Sequence, residues 1–363
     1  MVSFSISILS KGRIDCLRVL FSSLDSECKA NMDIPIEVNV FDDSSDTEQT
    51  IVEQLCRDYG YHYFYFKGSI SAKRNEAIRR ANNEVIWFVD SDCEPKEGVL
   101  RAYVDSYRDD SMQGVLGVVE FNGEKPFFWK LIETAGFVTS FSFATFMDYA
   151  IWGPCANVCY RKKDLEAIGG FKEEFPYDYS GEDVDVGVRH YQSGYKLKCN
   201  PKAVVNHSTS TWLPVWPFCK KVFRWGRTDY FLMRDHYDMT YVEYPRFICV
   251  LVLTCLLALL PHCTWLFPLL FLLATPPLFW LCQIFVGEKR PGNIVLNCFA
   301  FYLKQVYELG FVIECLCHLK FGYLFKKILY GNRQLAYEIT DRNCLAIATL
   351  LSIMISFAVN YFV

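Results

Sequence analysis

The sequence predicts an α/β fold, with a mostly parallel twisted sheet, followed by a C-terminal helical transmembrane region. Three observations predict it. Val85-Ile86-Trp87-Phe88-Val89 is apolar without alternation, the pattern of a strand covered on both faces, and it runs into Asp90 and Asp92. Upstream of it, strand-like and helix-like segments alternate, which implies crossover connections between parallel strands. Beyond Phe247 the chain turns strongly apolar, and residues 247–286 contain no Asp, Glu, Lys or Arg. That stretch is about twice what one membrane crossing requires.

The elements follow in order. Residues 4–9 read as the first strand. Residues 13–24 have helical spacing, with Ile14, Leu17, Leu20, Phe21 and Leu24 on one face. Residues 36–41 are the second strand, closed by Asp42-Asp43-Ser44-Ser45-Asp46, and Asp46 is placed to cap a helix over 48–59. Residues 63–66 are the third strand. Ser71 is expected to cap a helix through Ala81, with Ala72, Ala77 and Ile78 inward and Lys73, Arg74, Arg79 and Arg80 on the polar side. The fourth strand is 85–89 and the next helix 99–107. Neither a GxGxxG turn nor a GxxxxGK[ST] loop is present, so any phosphate chemistry falls to acids and a metal ion rather than to a glycine cradle.

Composition narrows the partners. A net charge of -4 over 363 residues offers no basic excess to displace counterions, which argues against nucleic acid. Sixteen cysteines without a small-domain framework suggest a reducing compartment. Cys315-Leu316-Cys317-His318 lies among apolar neighbours with no second ligand pair, so packed cysteines are expected there. No positively charged leader precedes an apolar stretch at the N-terminus, and no signal peptide is expected.

Two acid pairs mark the candidate site. Asp42 and Asp43 end one strand and Asp90 and Asp92 another, and in a doubly wound sheet both ends open onto one crevice. Carboxylates there suit a hard divalent cation, and such a cation suits a diphosphate. Arg74 lies in the first turns of the helix after Gly68-Ser69-Ile70, a place that favours an anion. Further on, Gly181-Glu182-Asp183-Val184-Asp185 puts acids in the first turn of another helix. Capping explains them plainly; the functional reading is a general base. Residues 203–207 form a short strand ending in His207, which can complete a metal site with a carboxylate.

Taken in series, SILSKGRIDCLRVLFSSL, VFDDSSDT, GSISAKRNEAIRRANNEVIWFVDSDCEP and GPCANVCYRKKDLEAIGGFKEEF…YSGEDVDVGVRHYQSGYKLKCNPKAVVNH resemble the inverting family 2 glycosyltransferases, whose nucleotide-sugar-binding fold is of the GT-A type. The resemblance covers roughly residues 2–207. It implies that Asp42 and Asp43 contact the base and ribose of the nucleotide, that Arg74 approaches the diphosphate, and that Asp90 meets the ribose or sugar. It implies further that Asp92 and His207 hold Mg²⁺ or Mn²⁺, that Asp183 is the base, and that Glu182 and Trp152 lie near the sugar or acceptor. There are departures. Ile8-Leu9-Ser10-Lys11-Gly12-Arg13 replaces the Pro-Thr-Tyr-Asn-like segment of many members, and Lys172 stands where an acid usually follows the Gly-Gly-Phe turn. The Gln-x-x-Arg-Trp of processive members is here Lys221-Val222-Phe223-Arg224-Trp225. Arg224 and Trp225 are then either acceptor-facing or an interfacial anchor.

The expected organisation is a GT-A domain over 1–240 and a membrane region over 245–363. Spans are expected at 247–264, 265–286 and 344–363, with interfacial helices at 292–335. Lys289, Arg290, Lys326, Lys327, Arg333 and Arg342 fall between the spans, so those segments and the N-terminal domain are expected on the cytoplasmic side. The expected partners are a UDP- or GDP-linked sugar donor, a hydroxyl acceptor on a lipid-linked glycan or glycolipid, and the membrane. The rival expectation is a non-catalytic glycan-binding or scaffold protein on a decayed transferase fold.

Overall fold

Apolar runs without alternation become the interior of one sheet and set its order. The computed structural model describes residues 2–174, 176–178, 180–260, 263–286, 292–331 and 335–362. In chain order β1 (Phe4–Ser10), α1 (Ile14–Ala30), β2 (Ile36–Asp42), α2 (Asp46–Tyr59), β3 (His62–Tyr65), α3 (Ile70–Arg80) and β4 (Val85–Asp90) alternate as the pattern predicts. They are followed by β5 (Cys93–Pro95), α4 (Val99–Ser106), β6 (Gly114–Asn122), α5 (Phe127–Thr134), β7 (Tyr149–Ala150), β8 (Asn157–Arg161), α6 (Lys162–Ala167), α7 (Glu182–Gln192) and β9 (Leu197–Ser208). The remaining elements are α8 (Val215–Asp235), β10 (Thr240–Val242), α9 (Phe247–Leu257), α10 (Leu266–Val286), α11 (Ile294–Cys317), β11 (Lys326–Ile328) and α12 (Ala336–Phe362). The chain forms two compact units, Met1–Glu124 with Val138–Thr211, and Lys125–Phe137 with Trp212–Val363.

The first unit is a mixed sheet in the order β3-β2-β1-β4-β8-β6-β9-β5, with β7 on β9. It is parallel through β3-β2-β1-β4, and β6 also runs parallel to β9. The stripe read in the first helix is the buried face of α1, where Leu17, Leu20, Phe21 and Leu24 are fully enclosed. Each such side chain contributes about 1.5–3 kcal/mol by leaving water. Glu27, from the same helix, accepts from the N–H groups of Gly98 and Leu100 at 2.8 and 3.1 Å, so one helix caps the start of another.

Two cap assignments differ from the expectation. Ser69, not Ser71, caps α3, its Oγ accepting from the Ala72 N–H at 3.1 Å, while Ser71 donates to the Tyr177 carbonyl. Asp46 is inside α2, behind an N-cap at Ser45, whose hydroxyl donates to Glu48 at 2.8 Å. Lys73 and Arg74 are buried rather than solvated, because each lies against a carboxylate.

The centre of the sheet is pinned by one amide. Asn157 Oδ1 accepts from Trp87 Nε1 at 3.0 Å and from the Tyr103 hydroxyl at 2.6 Å, and its Nδ2 donates to the Val118 and Ala203 carbonyls at 3.0 Å. It spans the place where the β6–β9 register shifts, between Leu116 and Val118. The neighbouring Gly117 is required by space, since a Cβ there would lie 2.2 Å from Asn157 Nδ2.

In the second unit, α8 and α11 cross through a pair of glycines. A Cβ on Gly226 would meet the Tyr307 carbonyl oxygen at 1.9 Å, and one on Gly310 would meet that of Phe223 at 2.1 Å. This close crossing joins α8 to α11, so the division between units falls after Thr211 rather than near 240. Among the described residues, two helices are long and apolar enough to cross a membrane, Leu266–Val286 and Tyr337–Tyr361. The expected span at 247–264 is instead an 11-residue helix, α9, with a rise of roughly 17 Å. The residues after it leave the helix ahead of the proline at 261, a residue that disfavours helix in its predecessor. The expected turn at 261–262 lies outside the described residues, as do Lys289, Arg290 and Arg333. The expected interfacial segment is largely the continuous helix α11, and β11 pairs antiparallel with β10. Within α10, Pro276 has no N–H for the Leu272 carbonyl, and the Tyr302 hydroxyl donates to that oxygen instead, at 2.6 Å.

Candidate active site

Strand register brings the acids to one edge. In the parallel pairing of β1, Ser10 stands opposite Asp42 and Leu9 opposite Asp90. The ends of β2, β1 and β4 therefore lie within one residue of level; Asp42 and Asp90 end their strands, and Asp43 and Asp92 follow. Asp42 is fully buried and accepts from the Ser44 hydroxyl at 2.6 Å and the Tyr63 hydroxyl at 3.3 Å. Ser44 in turn accepts from the Gly12 N–H at 2.6 Å, which ties the β1–α1 loop to this acid. Asp43 lies between two lysines, with the Lys73 ammonium on one oxygen and Lys11 at 3.2 Å on the other. Lys73 also donates to the Ser10 carbonyl at 3.0 Å.

A second group gathers at the start of α7. Arg74 pairs with Glu182, both almost wholly buried, and its guanidinium lies 5.4 Å from the centre of the Phe171 ring. The next residue, Asp183, accepts from the Val184 N–H at 2.8 Å. Burial, then the Glu182 carboxylate, push the Asp183 carboxyl up to about 7, against a smaller opposing pull from Arg74; the charge of Asp90 also acts on it. Trp152 is buried beside this helix, its Cβ filling the space a side chain on Gly187 would need, and its ring meets Phe143 edge-on at 5.8 Å.

The third group joins Asp92 to His207. The β5–β9 pairing sets Cys93 opposite His207 and so carries Asp92 beside the imidazole. His207 Nε2 lies 3.3 Å from Asp92 Oδ1, and Arg13 Nη1 lies 2.8 Å from Asp92 Oδ2. His207 Nδ1 is 3.0 Å from the Ser208 carbonyl oxygen. A carbonyl only accepts, so Nδ1 donates there and Nε2 is the ring atom turned toward Asp92. The pair therefore fits a divalent ion, with one nitrogen and one carboxylate donor. Among the described residues these two, with the buried Cys93 thiol, are the group whose ligand atoms come within 4.8 Å of one another.

The structure thus brings ten of the residues named from sequence into consideration as three groups or a separate helix: Asp42 with Asp43, Arg74 with Glu182, Asp183 and Asp90, and Asp92 with His207 in the first unit, and Arg224 and Trp225 on α8 of the second. Lys11, Arg13, Lys73 and Tyr63 were missed. Three of them are cations set against the acids. The signal available was the run Ser10-Lys11-Gly12-Arg13, which departs from the family pattern at the very loop that closes on Asp42 and Asp92. Gly12 and Arg13 both have positive φ, 65° and 59°. For arginine that left-handed conformation costs roughly 1–2 kcal/mol.

The family model Glycosyl transferase family 2 matches residues 5–165. A pre-mycofactocin glycosyltransferase of Mycobacterium tuberculosis is 27% identical over 185 residues, which are 49% of this chain and 38% of the relative. An N-acetylglucosaminyltransferase of Azorhizobium caulinodans is 26% identical over 230 residues, 58% of this chain and 56% of the relative. The chain thus spans about half or less of the length of these curated relatives. A solved mannosyltransferase, PcManGT from Pyrobaculum calidifontis in complex with GDP-Man and Mn²⁺, aligns over 97% of this chain and 87% of its own, with a TM-score of 0.46 and 13% identity. Residues 5–165 are a glycosyl transferase family 2 domain, carried on a GT-A-like mixed sheet.

Proposed function

We propose that this chain is an inverting glycosyltransferase that moves a sugar from a UDP- or GDP-linked donor to an acceptor hydroxyl. The observation that carries the reading is the cluster at the start of α7, where Asp183 follows the buried Glu182–Arg74 pair and burial with the Glu182 charge raises its carboxyl to about 7. A base poised near neutral pH holds the required proton-accepting form and still has driving force for the transfer. The acceptor oxygen attacks the anomeric carbon, the bond from that carbon to the β-phosphate oxygen breaks, and the hydroxyl proton passes to Asp183. Attack from the face opposite the leaving group inverts the configuration. Asp42 and Asp43 serve the nucleoside, and Asp90 the ribose or sugar. Arg74, held by Glu182, supplies positive charge towards the diphosphate. Asp92 and His207 would hold Mg²⁺ or Mn²⁺, which when bound supplies Lewis-acid stabilisation of charge on the departing diphosphate.

The acceptor reading extends to a lipid-linked glycan or glycolipid, because the same chain carries two helices of membrane-spanning length. Lys326 and Lys327, between those helices, and Arg342, in the first turns of the second, favour a cytoplasmic side for their segments.

The pH profile follows with a definite sign. Asp183 acts ionised, so kcat/KM is expected to rise about tenfold per pH unit below pH 7 and level off above it. A flat profile between pH 5.5 and pH 7 in initial-rate measurements would remove Asp183 as the base. The fold responds oppositely: the folded carboxyl binds its proton more tightly than the unfolded one, so this residue's effect on stability worsens as pH rises from about 4 to 7.

The deciding experiment is a calorimetric titration of the full chain in detergent with UDP and with GDP, in Mn²⁺ and in chelator. Metal-dependent binding of one nucleotide, lost in Asp92→Ala, is expected. No binding of either nucleotide would point to a scaffold role instead.

A further inference from the structure

The β1–α1 loop holds a cation against a residue that the proposed reading gives to the metal. Arg13 reaches Asp92 Oδ2 at 2.8 Å, while the other oxygen of the same carboxylate faces His207 at 3.3 Å. The Asp92 side chain is 3% exposed, whereas that of Arg13 is 49% exposed. The acid is fixed and the arginine has room to leave. Its backbone, left-handed at φ 59°, follows a left-handed Gly12, and the turn is held by the Gly12 N–H on Ser44 Oγ at 2.6 Å. A bulky residue in that conformation marks a position where placement of the side chain outweighs backbone preference. A guanidinium cannot shed its charge by losing a proton, and a buried carboxylate left without a cation is costly, so exchange for another cation is the favoured way for Arg13 to leave. A divalent ion can take its place on Asp92, and a diphosphate can accept the freed fork in bidentate fashion.

We propose that Arg13 is the resident counter-cation of Asp92, displaced by the divalent ion and passed to the donor's diphosphate, so that metal and nucleotide bind in a coupled manner. This rests on the reading of Asp92 and His207 as the metal pair. While Arg13 occupies the carboxylate, free metal binds weakly. When both ion and diphosphate are present, each removes a cost that the other would face alone, and the coupling is reciprocal.

The test is Mn²⁺ binding to the full chain in detergent, read from the electron spin resonance of free Mn²⁺, with and without saturating UDP and GDP. Arg13→Gln is expected to bind Mn²⁺ roughly three- to tenfold more tightly than the parent without nucleotide, the gain expected from removing one partly exposed competing ion pair. The nucleotide-induced gain in Mn²⁺ affinity is expected to be smaller in the variant than in the parent. Arg13→Gly, which also relieves the left-handed backbone, should behave in the same way and provides a variant that folds if the glutamine does not. Thermal unfolding of each variant shows which of them is folded. If the parent binds Mn²⁺, Asp92→Ala loses it and the Arg13 variants bind as the parent does, the counter-cation proposal falls while the metal pair stands. Tighter Mn²⁺ binding with an unchanged nucleotide effect overturns the transfer to diphosphate. If Asp92→Ala binds Mn²⁺ as the parent does, or if neither the parent nor the Arg13 variants bind it, the metal pair and the proposal built on it fail together.

Discussion

Asp183→Asn is expected to lower turnover by roughly 10²–10⁴-fold while leaving nucleoside diphosphate affinity nearly unchanged, the range that general-base assistance supplies. The amide has the shape of the carboxyl and keeps an oxygen for the Val184 N–H, but it cannot take a proton from an attacking hydroxyl. The neighbouring Arg74–Glu182 pair does not depend on it. Because the ionised carboxylate sits against Glu182 in a largely buried setting, its neutral replacement should also leave the fold as stable as before, or more so, at pH 8. Product formation measured beside calorimetric nucleotide binding separates the two effects. Near-full turnover in the variant would assign the base elsewhere, and loss of binding together with turnover would make Asp183 a donor ligand instead.

Asn157→Ala is expected to destabilise the chain by roughly 3–5 kcal/mol, although it removes only one amide. The side chain satisfies the Trp87 indole, the Tyr103 hydroxyl and two carbonyls, those of Val118 and Ala203, all inside the sheet. Each partner left buried without a bond costs on the order of 1–3 kcal/mol, partly relieved where water enters the space. In a unit of this size the shift corresponds to a Tm lower by about 10 °C. Calorimetric unfolding of the full chain in detergent reads it. An unchanged transition would mean that the four partners find bonds elsewhere and that the register shift between Leu116 and Val118 is held by β6 and β9 alone.

The features legible in the sequence were those with a short period or a local cause. The unalternated run at Val85 betrayed a covered strand, and the stripe from Leu17 to Leu24 betrayed the buried face of α1. The acids at strand ends followed from the same reading, because a strand end needs only a boundary to be found. What escaped depended on partners distant in the chain. Lys73 and Arg74 sit on a helix whose polar side looked solvated, and only Asp43 and Glu182, 30 and 108 residues away, make their burial affordable. Arg13 escaped for the same reason: its carboxylate is 79 residues on. The cap at Ser71 was misplaced because Ser69 and Ser71 offer the same local chemistry, and Tyr177, from a distant loop, claims the second hydroxyl. Uncharged composition correctly marked the apolar helices. It did not reveal that the first of them stops after 11 residues.

The pairing that sets Cys93 opposite His207 also dictates when the site can come into being. Asp92 follows β4, which pairs with β1, itself paired with β2, all strands near it in the chain. Its partner arrives on β9, which must insert between β6 and the short β5 before the imidazole meets the carboxylate. Contacts that close so long a loop form late and slowly. Arg13, from the first loop, is nearer to Asp92 along the chain than His207 is, so the two partners of this carboxylate differ in the loop each must close. A paired Asp92 and His207 therefore requires the β6–β9–β5 edge of the sheet to be assembled.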